Sequence, residues 1–373
     1  MSVFVLAAGG TGGHLFPAAA LAGELARRGH RAQLWTDRRA DGFAAETPGI
    51  SVCRIRAGQL AGGPVRAAFG LAELAIGIVQ ARRRLRLLKP AAIVGFGGYS
   101  SVPTMLAAAQ LGFPAMIHEQ NAVLGRANRL LAARIGRIAT GFAETAGLGP
   151  AARACSVHTG NPVRPAIRAV AGPGYVAPEA GAPIELLIIG GSQGARIFAE
   201  IVPPALALLP PALRAALRVS QQARPEDRAA VAAQLRGLGI AAEVESFFTD
   251  MPSRLARAHL VVCRAGASTI AELAAVGRPA LLVPYPHAAD DHQAANAAAF
   301  ANAGGGWVLP QSGLAAPLLA QCLAERFGDA GGLREAAALA RRFARDDAAA
   351  DLAALVLALA PDRESGGAAE RAA

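Results

Sequence analysis

Along the chain, short apolar runs alternate with longer stretches in which apolar residues recur at helical spacing. In the first half the runs are "VFVLAAGG", "AQLWT", "AAIVGFGG", "PAMIHEQ" and "GRIATGF". Short runs of this kind, ending in glycine or polar residues, predict β-strands. Helices are expected between them, at 14–28, 100–111 and 124–134. The second half repeats the plan with "IELLIIGG", "LRVSQQ", "AAEVESFF", "LVVCRAG" and "PALLVPY". Strands that are apolar throughout and joined by helices imply a parallel sheet covered on both faces. The expected fold class is α/β, with two Rossmann-like domains facing each other across a cleft.

The halves echo each other in detail. Each opens with a strand that ends in a glycine turn and starts a helix, "AAGGTGGH" and "IIGGSQGA". Each has a second such turn later, "VGFGGYSS" and "VCRAGAST". The linker is expected in "HTGNPVRPAI", where Pro162 and Pro165 flank Arg164. That sets an N-terminal domain at 1–162 and a C-terminal domain at 163–343. The polar end "PDRESGGAAERAA", 361–373, is expected to be a disordered tail.

Composition narrows the class. The 373 residues suffice for two cores, and 53% hydrophobic with 17% charged residues excludes a disordered chain. No apolar stretch reaches the roughly 18 residues of a spanning helix, and Ser2–Ala8 reads as a buried strand rather than a signal peptide. Cys53, Cys155, Cys263 and Cys322 are scattered, without C-x-x-C or zinc spacing, and suit a reducing compartment. The net charge of +10 suits an anionic partner, although an arginine-rich surface alone gives the same number.

Ligands of such sheets bind beyond the carboxyl ends of the strands, where all four glycine turns fall. A glycine turn feeding a helix presents unpaired N–H groups at a positive dipole end, which suits a phosphate. No G-K-[ST] follows the first turn, so it is not a P-loop. Leu15 also breaks the dinucleotide fingerprint. Glycines that only let strand and helix pack closely are the simpler reading of any one turn. His14 stands directly behind the first turn, at a helix N-terminus. A phosphate does not need it, but a histidine can take a proton near neutral pH, so it is the candidate general base. Ser192 in "GGSQGA" can bond a phosphate oxygen or simply cap its helix. Glu272, one turn into its helix, can accept ribose hydroxyls or complement the dipole. Asn121 in "HEQNAVLG" can read sugar hydroxyls or serve a turn. "DDHQ" at 290–293 looks like a helix start rather than a metal site.

Taken in order, "GGTGGH", "GGYSS", "HEQN", "GNPVR", "GGSQGA", "RAGAST..E" and "DDHQ..N" closely resemble the MurG family of peptidoglycan glycosyltransferases, from residue 9 to residue 296. The resemblance implies the GT-B fold, with a helix near 344–360 packing back on the first domain. It implies N-acetylglucosamine transfer from UDP-N-acetylglucosamine to a lipid-linked N-acetylmuramyl-pentapeptide, inverting C1, in cell-wall synthesis. It implies no cofactor and no metal, with helix N-termini and an arginine stabilising the leaving diphosphate. By the same resemblance Thr11, Gly12 and Gly13 face the diphosphates, Asn121 binds the sugar, and Arg164 and Ser192 lie near the UDP phosphates. Phe248 lies near the uracil. Ala267, Ser268, Thr269, Ile270, Ala271 and Glu272 embrace nucleotide and sugar, and Gln293 lies near the sugar hydroxyls.

The lipid acceptor implies a peripheral position on the cytoplasmic face of the cell membrane. "VRAAFGLAELAIGIV" at 65–79, followed by Arg82, Arg83, Arg84, Arg86 and Lys89, reads as an interfacial helix meeting anionic headgroups. Its expected apolar face is Phe69, Leu71, Leu74, Ile76 and Ile78. Two other classes compete. A UDP-N-acetylglucosamine 2-epimerase shares the architecture but would turn over the donor alone. A nucleic-acid or membrane binding module would fit the charge. With aromatics at 5% and no aromatic-interleaved basic stripe, nucleic acid is not an expected partner.

Overall fold

The computed structural model describes residues 1–10, 12–37, 50–58, 63–179, 181–191 and 194–360. Thr11, Ser192 and the 361–373 tail lie outside them. The chain divides into two compact units. The first comprises Met1–Gln120, Leu124–Pro162 and the chain from Asp347 onward; the second comprises Asn121–Val123 and Val163–Asp346.

The first unit holds a seven-stranded parallel sheet. Its strands are β1 (Val3–Ala7), β2 (Arg31–Thr36), β3 (Ser51–Arg54), β4 (Ala92–Gly95), β5 (Ala115–Glu119), β6 (Ile138–Thr140) and β7 (Ser156–His158), in spatial order 3-2-1-4-5-6-7. The second unit repeats the doubly wound order with six parallel strands. These are β8 (Ile184–Ile189), β9 (Leu217–Gln222), β10 (Ala241–Glu245), β11 (Leu260–Cys263), β12 (Ala280–Leu282) and β13 (Gly306–Val308), ordered 10-9-8-11-12-13. Three strands were not expected: β3, β7 and β13. All are edge strands, and their segments SVCR, SVH and GWV carry polar or glycine positions in place of a continuous apolar run.

Burial explains the apolar strands. In β1, Phe4 and Leu6 enter a core with Leu15 and Leu21 of α1 (Gly12–Arg27), while Val5 and Ala7 enter one with Trp35, Leu85 and Met105. Both faces are covered, so neither alternate position is polar. The Ala348–Leu359 helix supplies Leu352, Ala353 and Val356 to the α1 side of this core. Arg28 also donates to Ala350 O at 3.1 Å.

The stretch with the arginine run forms one helix, Pro64–Leu88. Glycines let it lie on the chain beneath: a Cβ on Gly77 would stand 1.9 Å from Arg56 O, and one on Gly58 would stand 2.1 Å from Gly70 O. The opposite side exposes Phe69, Ile76, Val79 and Leu87. Leu74 and Ile78, expected on that side, are half-buried, and Ile78 packs against the core. Among the described residues no helix is long and apolar enough to cross a membrane.

Candidate active site

In the first unit the site is built where β1, β4 and β5 end. Gly9 N–H donates to Gly97 O at 3.0 Å, and the loops after β1 and β4 pack backbone on backbone. A Cβ on Gly98 would lie 2.8 Å from Gly9 Cα, and both Gly97 (φ 84°) and Gly98 (φ 75°) are left-handed. Only glycine satisfies both demands without strain. The His14 ring rests on this glycine floor, Cδ2 toward Gly9 and Gly98 and Cε1 toward Gly97. His14 is the third residue of α1, so Gly12, Gly13 and His14 share one helix N-terminus.

Behind His14 stands a polar relay. His14 Nδ1 lies 3.0 Å from Gln120 Oε1. Gln120 Nε2 lies 2.9 Å from His118 Nδ1 and donates to His118 O at 2.8 Å. His118 Nε2 lies 3.1 Å from Gly160 O. Burial holds the His118 imidazole down at about 4, with the Gly160 bond opposing that shift and neighbouring His158 adding to it. Beside it, Glu119 accepts from Gly125 N–H and Asn128 Nδ2, both at 2.9 Å.

In the second unit the helix Ala267–Val276 follows β11 directly. The N–H groups of Ala267, Ser268 and Thr269 occupy its open first turn, whereas Ile270 N–H already bonds Gly266 O at 3.0 Å. Ala267 and Ile270 are buried, so neither side chain is offered to a ligand. Ser268 Oγ is buried without a partner among the described residues. Arg164 donates through Nε and Nη2 to the two oxygens of Glu272 at 2.7 and 2.9 Å. The Glu272 side chain is 13% exposed. Burial pushes its carboxyl above the usual range, against the pull of Arg164.

Asn296, buried on the His292–Asn302 helix, connects the rest. It donates to Asn121 Oδ1 and to Ala265 O, both at 3.1 Å, and accepts from Ala122 N–H at 2.8 Å. This is how Asn121–Val123 joins the second unit. Gln293, on the same helix, accepts from Tyr285 N–H at 2.9 Å. The Phe248 ring is 4% exposed and lies 4.1 Å beneath the Arg254 guanidinium, so its face is not open to a base. Gln222 holds the first glycine loop of this unit, accepting from Gly190 N–H and donating to Gly191 O, both at 3.0 Å. Among the described residues no group of three His, Cys, Asp or Glu side chains is placed to hold a metal ion.

Sequence reasoning named His14, Asn121, Arg164 and Glu272 but not Gln120, His118, Gln222 or Asn296. His118, Gln120 and Asn296 lay inside quoted motifs, "HEQN" and "DDHQ..N". Their partners up to 175 residues away gave them no separate signal.

Residues 4–140 match the glycosyltransferase family 28 N-terminal domain and residues 185–351 its C-terminal domain. The chain is 55% identical to the UDP-N-acetylglucosamine--N-acetylmuramyl-(pentapeptide) pyrophosphoryl-undecaprenol N-acetylglucosamine transferase of Rhodospirillum rubrum, over 96% of this chain and 92% of that one. The transferase of the same name from Paramagnetospirillum magneticum is 53% identical, over 98% of each chain. The crystal structure of Acinetobacter baumannii MurG superposes with a TM-score of 0.78 at 30% identity, covering 96% of this chain and 100% of that one. The chain belongs to the MurG family. With one doubly wound sheet in each unit, its fold is the GT-B type of that family.

Proposed function

We infer that the chain moves N-acetylglucosamine from UDP-N-acetylglucosamine to the 4-hydroxyl of lipid-linked N-acetylmuramyl-pentapeptide. The observation that carries this is the likeness, over 96% of the chain, to a transferase of that name. The geometry supports it within each unit. His14 Nε2 has no hydrogen-bond partner among the described residues and suits a base that takes the acceptor proton. The open first turn of the Ala267–Val276 helix, with the unpaired Ser268 Oγ, suits phosphate and sugar oxygens of the donor. Arg164 and Glu272 offer a cation for the diphosphate and a carboxylate for the ribose.

In this reading the muramyl hydroxyl attacks C1 in line and inverts it. His14 takes the proton, and the charge growing on UDP is met by helix N–H groups and Arg164. Phe248 supports the base site from beneath rather than by an open ring face.

The same reading places the protein peripherally on the cytoplasmic face of an anionic membrane, where its acceptor is anchored. Phe69, Ile76, Val79 and Leu87 form one exposed stripe of the Pro64–Leu88 helix, with Arg83 and Arg86 exposed beside it. Spacings of seven, three and eight residues keep these side chains on one face. Apolar insertion and headgroup attraction then act together.

Transfer of radiolabelled sugar from UDP-N-acetylglucosamine to a lipid-linked muramyl-peptide, with and without EDTA, tests the reading. Label should enter the lipid only when the acceptor is present. Conversion of the donor alone would instead identify the epimerase.

A further inference from the structure

We propose that Gln120 and His118 are positioning residues that lock the neutral His14 ring in the tautomer protonated at Nδ1, leaving the Nε2 lone pair as its basic face. The lock rests on reading His14 as the base, but its geometry stands apart from that reading. It starts at a group that cannot change roles. Gly160 O only accepts, so His118 Nε2, 3.1 Å away, must carry hydrogen. A neutral His118 then has a bare Nδ1, which must accept. The Gln120 atom 2.9 Å from it is therefore the amide nitrogen. That nitrogen's second hydrogen goes to His118 O at 2.8 Å, another obligate acceptor. A flipped amide would set its oxygen against two acceptors at once, so the orientation is fixed twice over. Gln120 Oε1 is left facing His14 Nδ1 at 3.0 Å, and Nδ1 must donate. Each bond decides the next, from a backbone carbonyl to the reacting ring.

The relay is held rigidly. Asn161 Nδ2 donates to Gln120 O at 2.9 Å. Gly141 makes room for that amide, since a Cβ there would fall 2.3 Å from Asn161 Oδ1. His118 and Gln120 are both buried. Burial also keeps His118 neutral, which the relay requires.

The tautomer can be read directly. Long-range proton–nitrogen correlation spectra of ¹⁵N-histidine protein resolve protonated from bare ring nitrogens, and the chain has only seven histidines. His14→Gln and His118→Gln variants assign the two signals. Wild type is expected to show His14 protonated at Nδ1 and His118 protonated at Nε2. Gln120→Leu removes the acceptor, and the His14 tautomer ratio should shift toward Nε2–H by roughly fivefold, the worth of one hydrogen bond. A wild-type His14 protonated at Nε2, or a ratio unchanged in Gln120→Leu, overturns the lock. The wild-type spectrum is decisive even if the variant folds poorly. Transfer kinetics separate the two ideas: kcat should fall about as far as the productive tautomer does, with KM for the donor unchanged. A tautomer that shifts while kcat holds would overturn His14 as the base and leave the lock standing.

Discussion

Acid should loosen the first unit through His118. The ring is fully buried, Nε2 is committed to Gly160 O, and Nδ1 faces an amide N–H. Protonating the ring would bury a charge, and burial holds the native group down at about 4, while a histidine in the unfolded chain titrates near ~6.5. A proton on Nδ1 would also set two donors against each other. Above ~6.5 neither state holds the proton, and the group does not favour unfolding. As pH falls toward 4 the unfolded chain takes up a proton that the native state refuses, so stability falls. Below about 4 both states bind it and the loss levels off. A gap of about 2.5 units corresponds to about 3 kcal/mol, of which about 2 kcal/mol is lost by pH 5.

Trp35 and Trp307 are the two tryptophans, and Trp35 is buried in the first unit. In a Trp307→Phe background, Trp35 emission follows that unit alone. Urea unfolding at pH 7.5 and pH 5 should cost the parent about 2 kcal/mol more than it costs His118→Gln, because carboxylates titrate alike in both. Equal losses would refute the reasoning, whatever the absolute stability of the variant.

His14→Ala should cut turnover by ~100- to 10,000-fold with little change in UDP affinity; near-normal turnover at saturating substrates would remove it as the base. Glu272→Ala should weaken UDP binding by roughly 1.5–3 kcal/mol if its carboxylate meets the ribose. Tighter binding by calorimetry would instead mean that its main work is holding Arg164. Changing Arg82, Arg83, Arg84 and Arg86 to Gln should abolish co-sedimentation with anionic vesicles while UDP-N-acetylglucosamine still binds. Arg83 and Arg86 should dominate, since Arg82 and Arg84 also bond Gln110 and Cys53. Equal sedimentation of both proteins would place the membrane contact elsewhere.

What the sequence made legible was whatever repeats locally. The central strands carry unbroken apolar runs because both faces of each sheet are covered. The edge strands β3, β7 and β13 lack that constraint and read as loops. His14 could be found because it follows a glycine turn. Gln120 could not be assigned a role, because that role depends on His14, 106 residues earlier, and on the carbonyl of Gly160, reached through His118. Glu272 was legible as an acid about one turn into its helix, but it is the sixth helical residue, past the first turn that a dipole-complementing acid would occupy, and its bidentate partner lies 108 residues away. Phe248 was marked only by the family resemblance, as lying near the uracil; that Arg254 stacks on its ring depends on a partner no local pattern announces.

Two glycines of the first unit show how the structure separates folding from ligand contact. Gly98 has a left-handed backbone, and a Cβ there would meet Gly9 Cα at 2.8 Å, so the fold itself demands glycine. Gly13 has neither reason. Its φ is ordinary, it is exposed, and a Cβ would meet nothing within 4 Å among the described residues. A glycine in a helix costs up to ~1 kcal/mol relative to alanine, less in the first turn, and no packing among the described residues offsets that cost. On the proposed function the room serves the close approach of a ligand to the α1 N-terminus, as a diphosphate would require. Gly13→Ala should therefore keep or slightly raise first-unit stability, by roughly 0.5 kcal/mol, while sugar transfer falls. Gly98→Ala should destabilise the unit and lose activity with it. A Gly13→Ala enzyme with full transfer and unchanged substrate affinities would show that the helix start needs no room for a ligand there.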